Sequence, residues 1–195
     1  MSVPVVTKAA LGIRPTNPSA PNRRFLNPGE QDVLIGLVRS VKAKAVLEFG
    51  VNEGLTAKAL LDAVPSIEQY QGIDVMPGYR PAKDYQRGEI PTEPGKHVAG
   101  DKRFELILRP RGSLDLHARD LKRCDVAFID GDHGREAILH DSLLSRSLVN
   151  DGGLIIWHDY HTYGTNDARV VLDEFHAAGE PLQLVEGTWI VFRRA

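Results

Sequence analysis

The sequence predicts an α/β fold of three layers: a mostly parallel sheet of seven strands, closed by an antiparallel C-terminal hairpin, with helices on both faces. Three observations carry that expectation. Short apolar runs recur at 45–49, 70–75, 104–108, 124–129 and 154–157, as for strands buried on both faces. Stretches with apolar residues at helical spacing lie between several of them. Two further runs, 182–185 and 188–193, are separated only by Glu186 and Gly187, a hairpin connection.

The bulk properties agree with one soluble domain. The 195 residues, 42% hydrophobic and 26% charged, are enough for a sizeable core. A net charge of −2 lacks the basic footprint of a nucleic-acid binder. No run approaches the roughly 18 apolar residues of a membrane span. The N-terminus lacks the basic start and long apolar stretch of a secretory signal. The lone Cys124 excludes an internal disulfide and fits a reducing compartment, so the expected location is cytoplasmic, with neither nucleic acid nor membrane as partner.

In chain order, residues 1–27 carry Pro4, Pro15, Pro18 and Pro21 and only basic charges, Lys8, Arg14, Arg23 and Arg24. They read as an N-terminal arm, either solvated or packed on a neighbouring subunit, ahead of a domain over 28–195. The arm is long for a lone domain, which favours a homodimer. Asn27 as cap, Pro28 at the first helical position and the acidic Glu30 open a helix with Val33, Leu34, Leu37 and Val41 on its apolar stripe. After the first strand a second helix follows Gly54, with Leu55, Ala59, Leu60 and Val64 on one side, and stops before Pro65. A helix over about 135–149 closes at Asn150-Asp151-Gly152-Gly153, and another over 167–178 precedes the hairpin. The segment 77–103 is rich in Pro and Gly and long for a compact domain; it predicts one short helix near 82–87 and, with Tyr79, Arg80, Lys83, Tyr85 and Arg87, either a mobile loop or a lid over an anionic or aromatic ligand.

The stretch LEFGVNEG, 47–54, joins the first strand to the second helix. In a parallel sheet, ligands settle beyond such strand ends. Glycines at 50 and 54 allow positive φ and close backbone approach, and the following helix offers unpaired N–H groups. The spacing is not the Gly-x-Gly-x-x-Gly of a dinucleotide site. Glu48, two residues before Gly50, would repel a pyrophosphate but suits an ammonium or sulfonium. Asp74 lies 20 residues after Gly54, where an acid accepts from both ribose hydroxyls.

Together with GIDV, FIDGDH and GGLIIWHDY, this stretch resembles the class I S-adenosylmethionine-dependent methyltransferases, over roughly residue 27 to the C-terminus. The likeness is greatest to the branch with Ile-Asp-Gly-Asp-His after the fourth strand and His-Asp after the fifth, similar to small-molecule O-methyltransferases. The resemblance implies a Rossmann-like fold and S-adenosylmethionine as cofactor. Gly50 and Gly54 would line its methionine part with Asn52, Glu48 would anchor the loop near the amino group, and Asp74 would bind the ribose. Gly112 and Ser113 would border the adenine, and Asp130 would sit beside the methyl-transfer centre.

Asp130, Asp132 and His133 end one strand, and His158, Asp159 and His161 end the next. Two converging carboxylates, Asp130 and Asp159, would suit Mg²⁺ or another divalent metal. Their separation of 29 residues resembles that of the metal-dependent O-methyltransferases, but Asp159-Tyr160 replaces an Asp-Asn pair. His133 or His158, or His161, would then complete the set and favour a softer ion. Such an ion would acidify an acceptor hydroxyl; without it, His133 is the candidate base. Equally open are blander roles, with Asp132 capping a helix and His158 bonded to a carbonyl. His140 and His176 are expected on the surface, Trp157 and Trp189 in the core or an interface, and Tyr160 and Tyr163 along the acceptor pocket. The expected function is methyl transfer to an oxygen of a small-molecule acceptor. The alternatives are a nicotinamide-dependent oxidoreductase on a similar sheet, or a protein that binds S-adenosylmethionine or a metabolite without turnover.

Overall fold

The computed structural model describes residues 2–14, 26–27, 29–80, 90–164 and 166–195. The strands are β1 (Val5–Val6), β2 (Ala45–Phe49), β3 (Gln69–Val75), β4 (Phe104–Arg109), β5 (Cys124–Ile129), β6 (Val149–Trp157), β7 (Gln183–Val185) and β8 (Val191–Arg194). The helices are α1 (Glu30–Ser40), α2 (Leu55–Ala63), α3 (Arg135–Leu148) and α4 (Ala168–Ala177). Among the described residues one sheet holds all the strands, in the order β1-β7-β8-β6-β5-β2-β3-β4, so eight are present rather than the expected seven. β8 alone runs against the rest: it is antiparallel to both β6 and β7, between which it lies.

Alternation along each strand sorts the core into two layers. Val46, Tyr70, Val126, Phe128, Leu154 and Ile156 point to the face covered by α1 and α2. Leu47, Phe49, Ile73, Ala127, Ile155 and Trp157 point to the other face, against Leu144 and Leu148 of α3 and Leu172 of α4. Each such fully buried aliphatic side chain contributes about 1.5–3 kcal/mol relative to exposure.

The eighth strand comes from the arm. Val5 and Val6 pair with Leu184 and Val185, and Val3 is buried. Ile13 packs on α1 at Gly36, where a Cβ would stand 2.7 Å from its Cγ1. Residues 15–25, with Arg23 and Arg24, lie outside the described residues, as do Pro28, the expected helix at 82–87 and Lys83, Tyr85 and Arg87.

Two boundaries differ from the sequence reading. β6 begins at Val149 directly after α3, and Asn150–Gly153 forms an irregularity in its pairing with β5 rather than a loop before it. Gly153 is needed there, because a Cβ would come within 2.4 Å of the Asp125 carbonyl. β8 starts only at Val191, so the connection from β7 is longer than the Glu186-Gly187 turn.

Candidate active site

Register decides what meets at the rim of the sheet. Phe49 pairs with Ile73 and with Ile129, and Ile129 pairs with Trp157. The next residue on each strand or just beyond it, Gly50, Asp74, Asp130 and His158, therefore arrives at one edge. A cleft of about 970 Å³ opens there.

At one end stands the loop after β2. Gly50 has φ +86°, and a Cβ on it would lie 2.2 Å from the Asp130 carbonyl oxygen. The glycine lets β2 and β5 close together, and Asp130 N–H donates to the Phe49 carbonyl at 2.9 Å. Asn52 is left-handed at φ 50°, a conformation that Asn tolerates, and its N–H donates to Asp74 Oδ2 at 2.6 Å. Val75 N–H donates to Asp74 Oδ1 at 2.7 Å. Burial raises the Asp74 carboxyl above its ordinary range, and these N–H groups offset only part of that.

Gly54, with φ +87°, starts α2 and packs on Gly95 and Val98, so it does not line the cleft. Glu48 does not line it either. Strand alternation turns Glu48 into the α1–α2 layer, where it is 1% exposed and accepts from the Tyr70 hydroxyl at 2.9 Å. Burial pushes its carboxyl up to about 8, against the lowering by Tyr70, so it is largely protonated at neutral pH.

At the other end the acids gather around one imidazole. His158 Nδ1 is 3.1 Å from Asp130 Oδ1 and 3.2 Å from Asp159 Oδ1, and its Nε2 is 2.9 Å from Glu30 Oε2. Burial disfavours the His158 cation, but Asp130 and Asp159 outweigh it and hold its pKa well above the usual value. Burial raises Asp130, whereas His158 and His161 draw Asp159 below its ordinary range in spite of burial. Asp159 is left-handed at φ 62°, with Asn52 the second non-glycine cleft residue held in that sparse region. His133 Nδ1 lies 3.4 Å from Asp159 Oδ2. The ring of His161 packs at a tilt on Trp189, 4.0 Å between centroids, with Tyr163 beside both.

Several side chains differ from the sequence reading. Tyr160 is buried with its hydroxyl on Asp173, away from the cleft, while Tyr163 lines it. Trp157 is core, as expected, but Trp189 lines the cleft. His140 is half-buried and ties the Ser113 and Leu116 carbonyls to α3 through Nε2, at 3.0 and 3.2 Å. His158 bonds carboxylates, not a carbonyl. Asp132 accepts from Gly134 N–H at 2.7 Å where α3 begins. The far part of the long segment is pinned to the β2 loop, with Gly95 N–H on the Asn52 carbonyl and His97 N–H on that of Glu53.

The sequence marks Glu30 only as a first-turn acid, yet it is fully buried and also accepts from Trp189 N–H at 2.7 Å and Asn27 N–H at 2.6 Å. Burial would raise its pKa, but His158 and these donors hold it below the ordinary value. Asp141, on α3, belongs to none of the motifs in the sequence. Both had one signal in the sequence: each falls on an apolar helical stripe, Glu30 with Val33 and Leu34, Asp141 with Ala137, Ile138 and Leu144.

Residues 47–160, more than half of the chain, match a family described as a methyltransferase domain. The chain belongs to that family. No curated protein matches it in sequence. The methyltransferase is similar in structure to the O-methyltransferase from Bacillus cereus in complex with SAH, with TM-score 0.60, 15% identity, and 96% of this chain and 87% of that one covered. It is similar to the SAH-bound methyltransferase PaMTH1 of Podospora anserina, with TM-score 0.57, 18% identity and coverages of 92% and 82%. A third likeness is to the O-methyltransferase TomG of Streptomyces achromogenes in complex with SAM, with TM-score 0.58, 14% identity and coverages of 86% and 78%. By family and fold the protein is a class I S-adenosylmethionine-dependent methyltransferase. Among the described residues, no helix is long and apolar enough to cross a membrane.

Proposed function

We propose that the methyltransferase moves the methyl group of S-adenosylmethionine to an oxygen of a small-molecule acceptor. The observation that carries this reading is one continuous cleft, lined at one end by Asn52 and Asp74 and at the other by Asp130, Asp159 and His133. Its volume of about 970 Å³ is at the upper end for small-ligand sites and leaves room for cofactor and acceptor together. The cofactor supplies a sulfonium-bound methyl group, whose displacement needs chiefly alignment and exclusion of water.

The residues divide that work. Asp74, its oxygens already fixed by backbone N–H groups, accepts from the ribose hydroxyls. The Gly50–Asn52 backbone faces the methionine part, and Gly112 and Ser113 border the adenine. His133 takes the proton of the acceptor hydroxyl: Asp159 orients its Nδ1, which leaves Nε2 as the base. Asp130, just beyond the end of β5, lies beside the transfer centre.

A divalent ion fits the same end. Asp130, Asp159 and His158 each present one ligand atom, all within 4.8 Å of one another. Glu30 holds His158 Nε2, as an outer carboxylate orients a ligating imidazole, and an ion bound at Nδ1 would displace the proton that Asp130 and Asp159 favour there. Tyr160 contributes nothing, and a nitrogen ligand favours Mn²⁺, Fe²⁺ or Zn²⁺ over Mg²⁺. When bound, the ion lowers the pKa of the acceptor hydroxyl.

Calorimetry with S-adenosylmethionine and S-adenosylhomocysteine tests the cofactor; absence of binding to either removes the proposal. Turnover of a panel of phenols and alcohols, with Mg²⁺, Mn²⁺ or Zn²⁺ and after chelation, tests oxygen transfer and the ion. Asp159→Asn is expected to abolish turnover while S-adenosylhomocysteine binding stays within about tenfold. Retained turnover in that variant refutes the role given to the acid end.

A further inference from the structure

Among the described residues, three buried side-chain polar atoms lack a hydrogen-bond partner: Asp141 Oδ1, Ser145 Oγ and Arg193 Nε. Only Asp141 also lines the cleft. It is 1% exposed, on the inner face of α3, and the Ser113 side chain hydrogen-bonds its carboxyl. A buried oxygen without a donor costs on the order of 1–3 kcal/mol, so its retention at a ligand wall calls for a donor from the ligand.

The neighbourhood says what kind of ligand group that is. Ser113 belongs to the loop after β4, which lies against the end of β3: a Cβ on Gly112 would stand 3.3 Å from Val75 Cγ1 and about 4 Å from the Asp74 backbone. A ribose held at Asp74 therefore places its base towards this loop and α3. Val75, Leu114 and Ala137 supply apolar walls there, and Asp141 supplies an acceptor. An apolar slot with one inward acceptor suits a flat heterocycle with an N–H on its edge. His140, the residue before Asp141, fixes the slot by bonding the Ser113 and Leu116 carbonyls.

We propose that Asp141 is a specificity residue whose Oδ1 accepts the exocyclic amino N–H of adenine, so that the cleft selects 6-amino over 6-oxo purine nucleosides. This deepens the cofactor reading above and rests on it. Burial raises the Asp141 carboxyl to about 7, against the lowering by the Ser113 hydrogen bond.

The test is calorimetry at about pH 8.5, above the value of about 7 for Asp141, with three ligands. They are S-adenosylhomocysteine, its 6-deamino (purine) analogue and its 6-oxo (inosine) analogue. The native protein is expected to bind the 6-deamino analogue about 10-fold and the 6-oxo analogue about 100-fold more weakly than S-adenosylhomocysteine. Asp141→Asn, whose amide both accepts and donates, is expected to bring the 6-oxo analogue to within about 10-fold. Asp141→Ser, too short to reach the base, is expected to bind S-adenosylhomocysteine and the 6-deamino analogue alike, and stands in should the Asn variant not fold. Equal binding of the first two ligands by the native protein overturns the proposal, as does unchanged discrimination in a folded variant. If the native protein binds none of the three, the cofactor reading itself fails and takes this one with it.

Discussion

Glu48 ties pH to stability through a single proton. In the unfolded chain its carboxyl ionises near 4.5, and in the fold burial delays this to about 8. Between those values the folded protein binds a proton that the unfolded chain has released, so stability falls as pH rises across the window and levels off above it. Its contribution reaches about 1.4 kcal/mol per pH unit within that window. Asp141 adds a loss of the same sign between 3.8 and about 7. Glu48→Gln keeps an acceptor for the Tyr70 hydroxyl and has no proton to lose. Urea denaturation is therefore expected to give a shallower fall in stability from about pH 5 to pH 8, with the variant the more stable of the two at the upper end. Curves that stay parallel would assign the dependence to other groups. The acids at the strand ends were legible in the sequence because they end apolar runs. Glu48 reads as a ligand contact because it stands two residues before Gly50, but strand alternation turns it away from the cleft, onto Tyr70.

At the scale of elements, two joints hold the site. Glu30 fastens the start of α1 to the end of β6 through His158, and to the residue before Ile190 through Trp189 N–H. Glu30→Ala leaves these donors and that of Asn27 without their acceptor, in a place water does not reach. A loss of about 3–5 kcal/mol is expected by thermal or urea denaturation, typical of a broken buried ion pair; a loss under about 1 kcal/mol would mean the network is slack. Gly50 is the second joint. In Gly50→Ala the methyl meets the Asp130 carbonyl at 2.2 Å and the backbone stays at positive φ. The expected result is destabilisation by more than about 2 kcal/mol, together with weaker S-adenosylhomocysteine binding in calorimetry. The loop was legible from its glycines, but not the reason for each: Gly50 answers to β5, and Gly54 to residues 95–98. The pairing of Val5 and Val6 was not legible, because two residues are too short a run for alternation to register. The start of β6 was hidden because Asn150–Gly153 has the composition of a turn.

For the whole molecule, the three-layer α/β plan followed from the spacing of apolar runs, since buried parallel strands have few other sequence patterns. The contribution of residues 2–14 did not, because their packing depends on β7 and on Gly36, both remote in sequence. Removing residues 2–14 uncovers the backbone edge of β7 and the surface that Val3 and Ile13 bury. A melting temperature lower by about 5 °C or more is expected, with increased self-association in light scattering, because a bare edge pairs with other chains. An unchanged melting temperature would make the segment dispensable. The position of β8 carries a different consequence. β8 follows β6 and β7 in the chain, yet it lies inside the sheet, between those two strands made before it. Until Val191–Arg194 has left the ribosome, β6 ends in an open seam and β7 has no place to dock. Nascent chains stalled before that point should remain protease-sensitive around β7 and β1, however complete their β2–β6 portion is.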